Sequence, residues 1–144
     1  MSLVPSFVYR KLGDFTYHVL SDPGEIKAHL TEWILQREWE HDHQEAPNEH
    51  WTVEWMEVFP KMEFSLEIIR LDDIRPHPDL MGVEEFLAGL QERVADREWS
   101  VLCGVSIAPL LVNRADMQLM DGYTRYMLLK KYSQRDVYAY IGTA

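Results

Sequence analysis

A single cysteine, Cys103, stands in the 144 residues of this chain. That excludes a disulfide within the chain and a metal site built from several cysteines. No apolar run approaches the ~20 residues needed to span a bilayer, and no leader-like pattern opens the sequence, so a cytoplasmic protein without membrane attachment is expected. Basic residues are scarce: 14 Lys/Arg stand against 24 Asp/Glu, a net charge of −10. Residues 1–67 hold 5 Lys/Arg and 13 Asp/Glu, whereas residues 68–144 hold 9 and 11. A chain that grips nucleic acid through its phosphates needs a basic stripe to displace counterions. Autonomous nucleic-acid binding is therefore not expected, although a local basic pocket is compatible with this balance. Internal repeats and low-complexity tracts are absent too. What is plentiful is core material, 47% hydrophobic residues, enough for one packed domain or one domain with an extension.

The pattern of these residues predicts mixed elements. Phe7–Leu12 and Phe15–Leu20, rich in aromatic and β-branched residues around Gly13-Asp14, read as a hairpin. Ser21-Asp22-Pro23-Gly24 starts a helix that Ile26, Leu30, Trp33 and Ile34 carry to about His41. Ala46-Pro47-Asn48 breaks it, and Trp51, Val53 and Trp55 alternate as a strand. Met62–Leu71 reads as another strand. Leu71–Pro78 is expected to be extended, because Pro76 and Pro78 bias their predecessors away from helix. Val83, Phe86, Leu87, Leu90 and Val94 form one helical stripe. Leu110-Leu111-Val112 is a strand, Asn113–Asp116 a turn, Met117–Met120 a short strand, and Val137–Ile141 a closing strand.

Between the last two lies "LMDGYTRYMLLKKY", residues 119–132. Arg125 falls in the first turn of the predicted helix, where the dipole disfavours a cation. It shares a face with Leu128, Leu129 and Tyr132, so it points towards the domain and needs an anion. Asp121, four residues back, is one candidate partner. The other is a bound phosphate: Gly122 lets a ligand approach, the amides of Tyr123, Thr124 and Arg125 are first-turn donors, and the Thr124 hydroxyl adds a contact.

The order of these elements, with "IRPHP" at 74–78, "APLLV" at 108–112 and the Asp121–Arg125 turn, resembles the ParB/sulfiredoxin superfamily. That superfamily includes ParB N-terminal domains, sulfiredoxins and ADP-dependent serine kinases. The resemblance covers roughly residues 67–142. It implies an α+β fold, a ParB/sulfiredoxin-like mixed sheet with helices at 67–144, preceded by an acidic N-terminal α+β extension at 1–66. It also implies a nucleotide (ATP, ADP or CTP, with Mg²⁺ accompanying it) whose phosphates sit at Gly122 and Arg125, with Asp121, Tyr123, Thr124 and His77 around them. Sulfiredoxins place their catalytic cysteine after the motif glycine; Tyr123 stands there, so that chemistry is not expected. The helix-turn-helix that follows this domain in ParB proteins has no counterpart here, which argues against a stand-alone partition protein. The serine kinases have D-G-H-H-R, matched at three of five positions by D-G-Y-T-R, and a catalytic glutamate after a Pro-His step. Pro78 occupies that glutamate's place, and the nearest carboxylates are Asp79, Glu84 and Glu85. Whether the chain turns anything over stays open.

Other clusters have plainer readings. His41, His43 and His50 stand among Glu40, Asp42, Glu45 and Glu49, but on a helix His41 and His43 point about 160° apart; a solvated acidic end is expected, not a metal site. Trp33, Trp39, Trp51, Trp55 and Phe59 read as core more readily than as a ligand cavity. Cys103 reads as a small core or loop residue, Lys130-Lys131 as a solvated helix edge. The leading functional expectation is a nucleotide- or phosphate-binding protein, with phosphotransfer or hydrolysis as an activity open to it. The alternative is a non-catalytic interaction module whose acidic N-terminal lobe binds a protein partner, and a homodimer is compatible with either.

Overall fold

The computed structural model describes residues 6–32, 58–82 and 84–144, the side chains of residues 79 and 80 excepted. The predicted helix continuation from Trp33 to His41, the break at Ala46–Asn48, the Trp51–Trp55 strand, the histidine cluster and Val83 lie outside the described residues, as do all the tryptophans of the first half.

The N-terminal hairpin forms as its composition predicts. Strands β1 (Val8–Leu12) and β2 (Phe15–Val19) pair antiparallel from Val8↔Val19 to Leu12↔Phe15. Gly13, at φ 61°, supplies the positive dihedral that a two-residue hairpin turn requires. Phe15, Tyr17 and Val19 are buried, alternating with exposed Thr16 and half-buried His18. Helix α1 (Pro23–Leu30) then starts as expected: the Asp22 carboxylate accepts the Glu25 amide at 3.0 Å, and Pro23 occupies the first turn, where its missing N–H costs nothing.

The main sheet has the order β3-β6-β4-β5, formed by β3 (Glu63–Arg70), β4 (Leu110–Asn113), β5 (Leu119–Asp121) and β6 (Asp136–Thr143). β6 runs parallel to β4 and antiparallel to β3, and β4 runs antiparallel to β5. β6 is buried from Val137 to Gly142, the continuous apolar run of a strand covered on both faces. Val137, Ala139 and Ile141 join a core with the hairpin, Leu90, Leu110, Val112 and Leu128. Tyr140, Leu111 and Met120 join a second core with Ile26, Leu30, Phe59 and Phe64. β3 pairs with β6 along its whole length, so the expected domain boundary at 66/67 falls inside a strand.

Two expectations need correction. Leu71–Asp73 is a 3₁₀ turn, closed by the Ile74 amide on the Leu71 carbonyl at 3.1 Å, and Pro78 opens the short helix α2 (Pro78–Met81). Proline restrains the residue before it but itself suits a helix start. Extended backbone survives at Ile74-Arg75, where Arg75 bridges to Gln118. The short strand is shifted from 117–120 to Leu119–Asp121, because Met117 takes a left-handed φ of 58° and its amide closes onto the Asn113 carbonyl at 2.8 Å. Among the described residues no helix is long and apolar enough to cross a membrane.

Helix α3 (Glu84–Leu102) turns its Phe86, Leu87, Leu90 and Val94 stripe to the core, as its spacing predicts. Helix α4 (Tyr123–Lys131) buries Tyr126, Leu128 and Leu129.

Candidate functional site

The start of α4 is shaped by Gly122. Its φ of 100° and ψ of 31° are left-handed, which a side chain resists. A Cβ there would also lie 2.9 Å from Nη2 of Arg125 and 3.0 Å from Cδ2 of Leu110. Glycine is therefore needed twice, for the turn and for the guanidinium that lies against it. No side chain caps α4, and the first-turn amides of a helix have no intrahelical acceptor.

Arg125 is anchored from two sides. Its Nη1 donates to the Pro109 carbonyl at 2.7 Å, and its Nη2 meets Oδ2 of Asp121 at 3.1 Å, with both side chains largely buried. This ion pair accounts for a cation in the first turn of a helix. Desolvating a charge is costly, and a carboxylate four residues away with a carbonyl opposite offsets that cost. It also means that Arg125 meets any incoming anion with its charge partly compensated by Asp121.

A second cation comes from α3. Arg93 reaches Oγ1 of Thr124 with Nε at 3.4 Å, a long contact, while its guanidinium lies 5.6 Å from the Phe86 ring centroid. The Phe86 ring in turn meets Tyr123 edge to face at 5.7 Å and 84°. Sequence reasoning passed over Arg93, because an exposed helix position carries no periodic signal.

Tyr123 and His77 are joined through the backbone. The Tyr123 hydroxyl accepts the His77 amide at 2.9 Å and donates to the Leu119 carbonyl at 3.2 Å. Burial, with the Asp121 charge adding to it against the His77 bond, pushes this hydroxyl's pKa up to about 12. It therefore stays protonated and fills both roles. Asp121, Gly122, Tyr123, Thr124, Arg125 and His77 thus come together, His77 through its main chain. Asp79 lies in α2. Glu84 and Glu85 are exposed in the first turn of α3, where the helix dipole favours carboxylates.

Phe59 is buried in the second core, whereas Cys103, Lys130 and Lys131 fall at the surface. Cys103 is exposed beyond the end of α3. Lys131 pairs with Glu98 at 2.9 Å, and Lys130 lies 5.3 Å from the Tyr126 ring centroid.

No family model and no curated protein matches this chain. Among solved structures, it is similar to the C2221 form of the Pnob8-like ParB-N domain, at 20% identity and a TM-score of 0.45 over 58% of this chain and 30% of that one. It is similar also to a pNOB8-like ParB N-domain structure, at 24% identity and a TM-score of 0.44 over 58% of this chain and 29% of that one. The matched stretch thus spans less than a third of either solved chain.

Proposed function

We propose that the chain binds a nucleotide, or another small molecule ending in phosphate, at the start of α4. The observation that carries this reading is the uncapped left-handed turn at Gly122, with Arg125 lying against it and Arg93 and Thr124 beside it. A helix start offers amide donors and a positive dipole end to an anion. Arg93 adds a cation that forms no ion pair among the described residues, and Thr124 a hydroxyl. The "DGYTR" resemblance to a phosphate-binding helix start supports the same ligand class, with ATP, ADP and CTP as candidates and Mg²⁺ as companion ion. Binding rather than turnover is what the site supports, since Tyr123 is held protonated and Asp121 is engaged by Arg125.

Calorimetric titration with ATP, ADP and CTP, with and without Mg²⁺, tests this. Binding of at least one, lost in Arg93→Ala and weakened in Thr124→Val, is expected. Arg125→Ala removes two structural bonds as well, so the two milder variants carry the test. A folded wild-type protein that binds none of the three contradicts the proposal.

A second reading, a protein-contact module, has its own observation. Trp99 and Leu102 in the last turn of α3, and Val105 beyond its end, stand exposed, Trp99 by 69%. Such a cluster of large apolar groups suits a protein surface. Absence of nucleotide binding would leave this reading ahead.

A further inference from the structure

The hairpin meets the body of the protein through a second cluster, separate from the α4 start. Phe7, just before β1, lies between two imidazoles: its ring is 5.1 Å from that of His18 at 88°, and 5.2 Å from that of His29 at 83°. His18 belongs to β2 and His29 to α1. Nδ1 of His18 shares a hydrogen bond of 2.9 Å with the Ser106 hydroxyl. Beside it the His18 amide donates to the Ile107 carbonyl at 3.0 Å, and the Ile107 amide to the Thr16 carbonyl at 2.9 Å. Hairpin, α1 and residues 106–107 therefore converge on one pair of histidines.

We propose that this cluster is a proton-sensitive latch, fastening the hairpin to α1 and residues 106–107 while both imidazoles are neutral and releasing it as they charge.

Among the described residues, the groups around His18 oppose its charge on balance. Burial contributes most, followed by the guanidinium of Arg125 on α4, then His29 on α1 and Arg97 on α3; together they hold His18 below the ordinary imidazole range. Burial also lowers His29, against a smaller opposing pull from Glu32. A phenyl face attracts an imidazolium, but burial and the nearby charges together still leave His18 below the ordinary range. The Ser106 hydroxyl can turn to accept from a charged His18, so release comes from the buried charge and not from loss of that bond.

The direction with pH follows. Each imidazole binds its proton more weakly in the closed form than when released. The closed form is thus fully favoured above the ordinary imidazole range of about 6.5. It loses ground as pH falls below that, by about tenfold per pH unit for one imidazole within the window where only the released form is protonated.

Two readouts test the latch on the intact chain. Ring resonances of His18 and His29, followed by NMR from about pH 8 to about pH 5, should titrate below the ordinary imidazole value of ~6.5. Hydrogen exchange at the His18 and Ile107 amides, corrected for intrinsic pH dependence, should lose protection over the same range while amides of β6 keep theirs. In the double variant His18→Asn, His29→Gln that selective loss should disappear. An ordinary or raised His18 titration in wild-type protein overturns the proposal, even if the variant does not fold. So does an unchanged exchange profile in a folded variant.

Discussion

Gly122 carries more of the candidate site than any charged residue does. Its φ of 100° and the guanidinium 2.9 Å from its absent Cβ leave a side chain neither a comfortable backbone nor room. Gly122→Ala should destabilise the protein by about 1–3 kcal/mol, read as a lower urea midpoint with unchanged slope. An effect within a few tenths of a kcal/mol would show that the turn relaxes without cost. Tyr123→Phe removes the hydroxyl that holds His77 and Leu119. A loss of about 1–3 kcal/mol is expected, because the buried carbonyl loses its donor. Both residues could be singled out from the sequence, since an Asp-Gly turn before an apolar helix is a local signal. The partner of Arg125 was legible only as a choice, between Asp121 and a phosphate. Arg93 was not legible, because what brings it to Thr124 is the packing of α3 on α4.

At the scale of the element, the cues that held were those fixed within a few residues. The hairpin about Gly13, the Asp22 cap of α1 and the apolar stripe of α3 all appear where their patterns place them. The Leu71–Pro78 segment and the start of β5 did not follow. The first was settled by a 3₁₀ turn whose first residue is held from the far end of the chain, the Leu71 amide donating to the Arg135 carbonyl at 2.9 Å. The second depended on a left-handed Met117, which no residue preference announces. The cap of α1 offers a simple check. Asp22→Ala should cost about 0.5–2 kcal/mol, measured by thermal unfolding, and Asp22→Asn much less, since the amide oxygen can accept the same bond.

At the scale of the molecule, the hairpin and the last strand belong to one body among the described residues. β3 lies along the full length of β6, and the hairpin buries Phe15 and Tyr17 in the same core as Leu128 and Val137. Gln134 clasps the hairpin turn from the opposite end of the chain, accepting the Asp14 amide at 3.1 Å and donating to the Asp14 carboxylate at 2.7 Å. Gln134→Ala should lower stability by about 1 kcal/mol and raise hydrogen exchange in β1 and β2 more than in β6; uniform loosening would instead mean that the clasp holds no particular element. Periodicity shows which residues are apolar, but contacts that span 120 residues lie beyond any local pattern. The expected boundary between the acidic extension at 1–66 and the domain at 67–144, which follows the family resemblance, lies within β3.

The central claim is that phosphate binds at the start of α4. Titrating ¹⁵N-labelled protein with inorganic phosphate, and then with ATP, ADP and CTP, tests it residue by residue. Saturable shifts centred on the Thr124 and Arg125 amides, weakened in Arg93→Ala, are the predicted result. Amides that stay fixed through the titration, or shifts centred on another part of the fold, would contradict it.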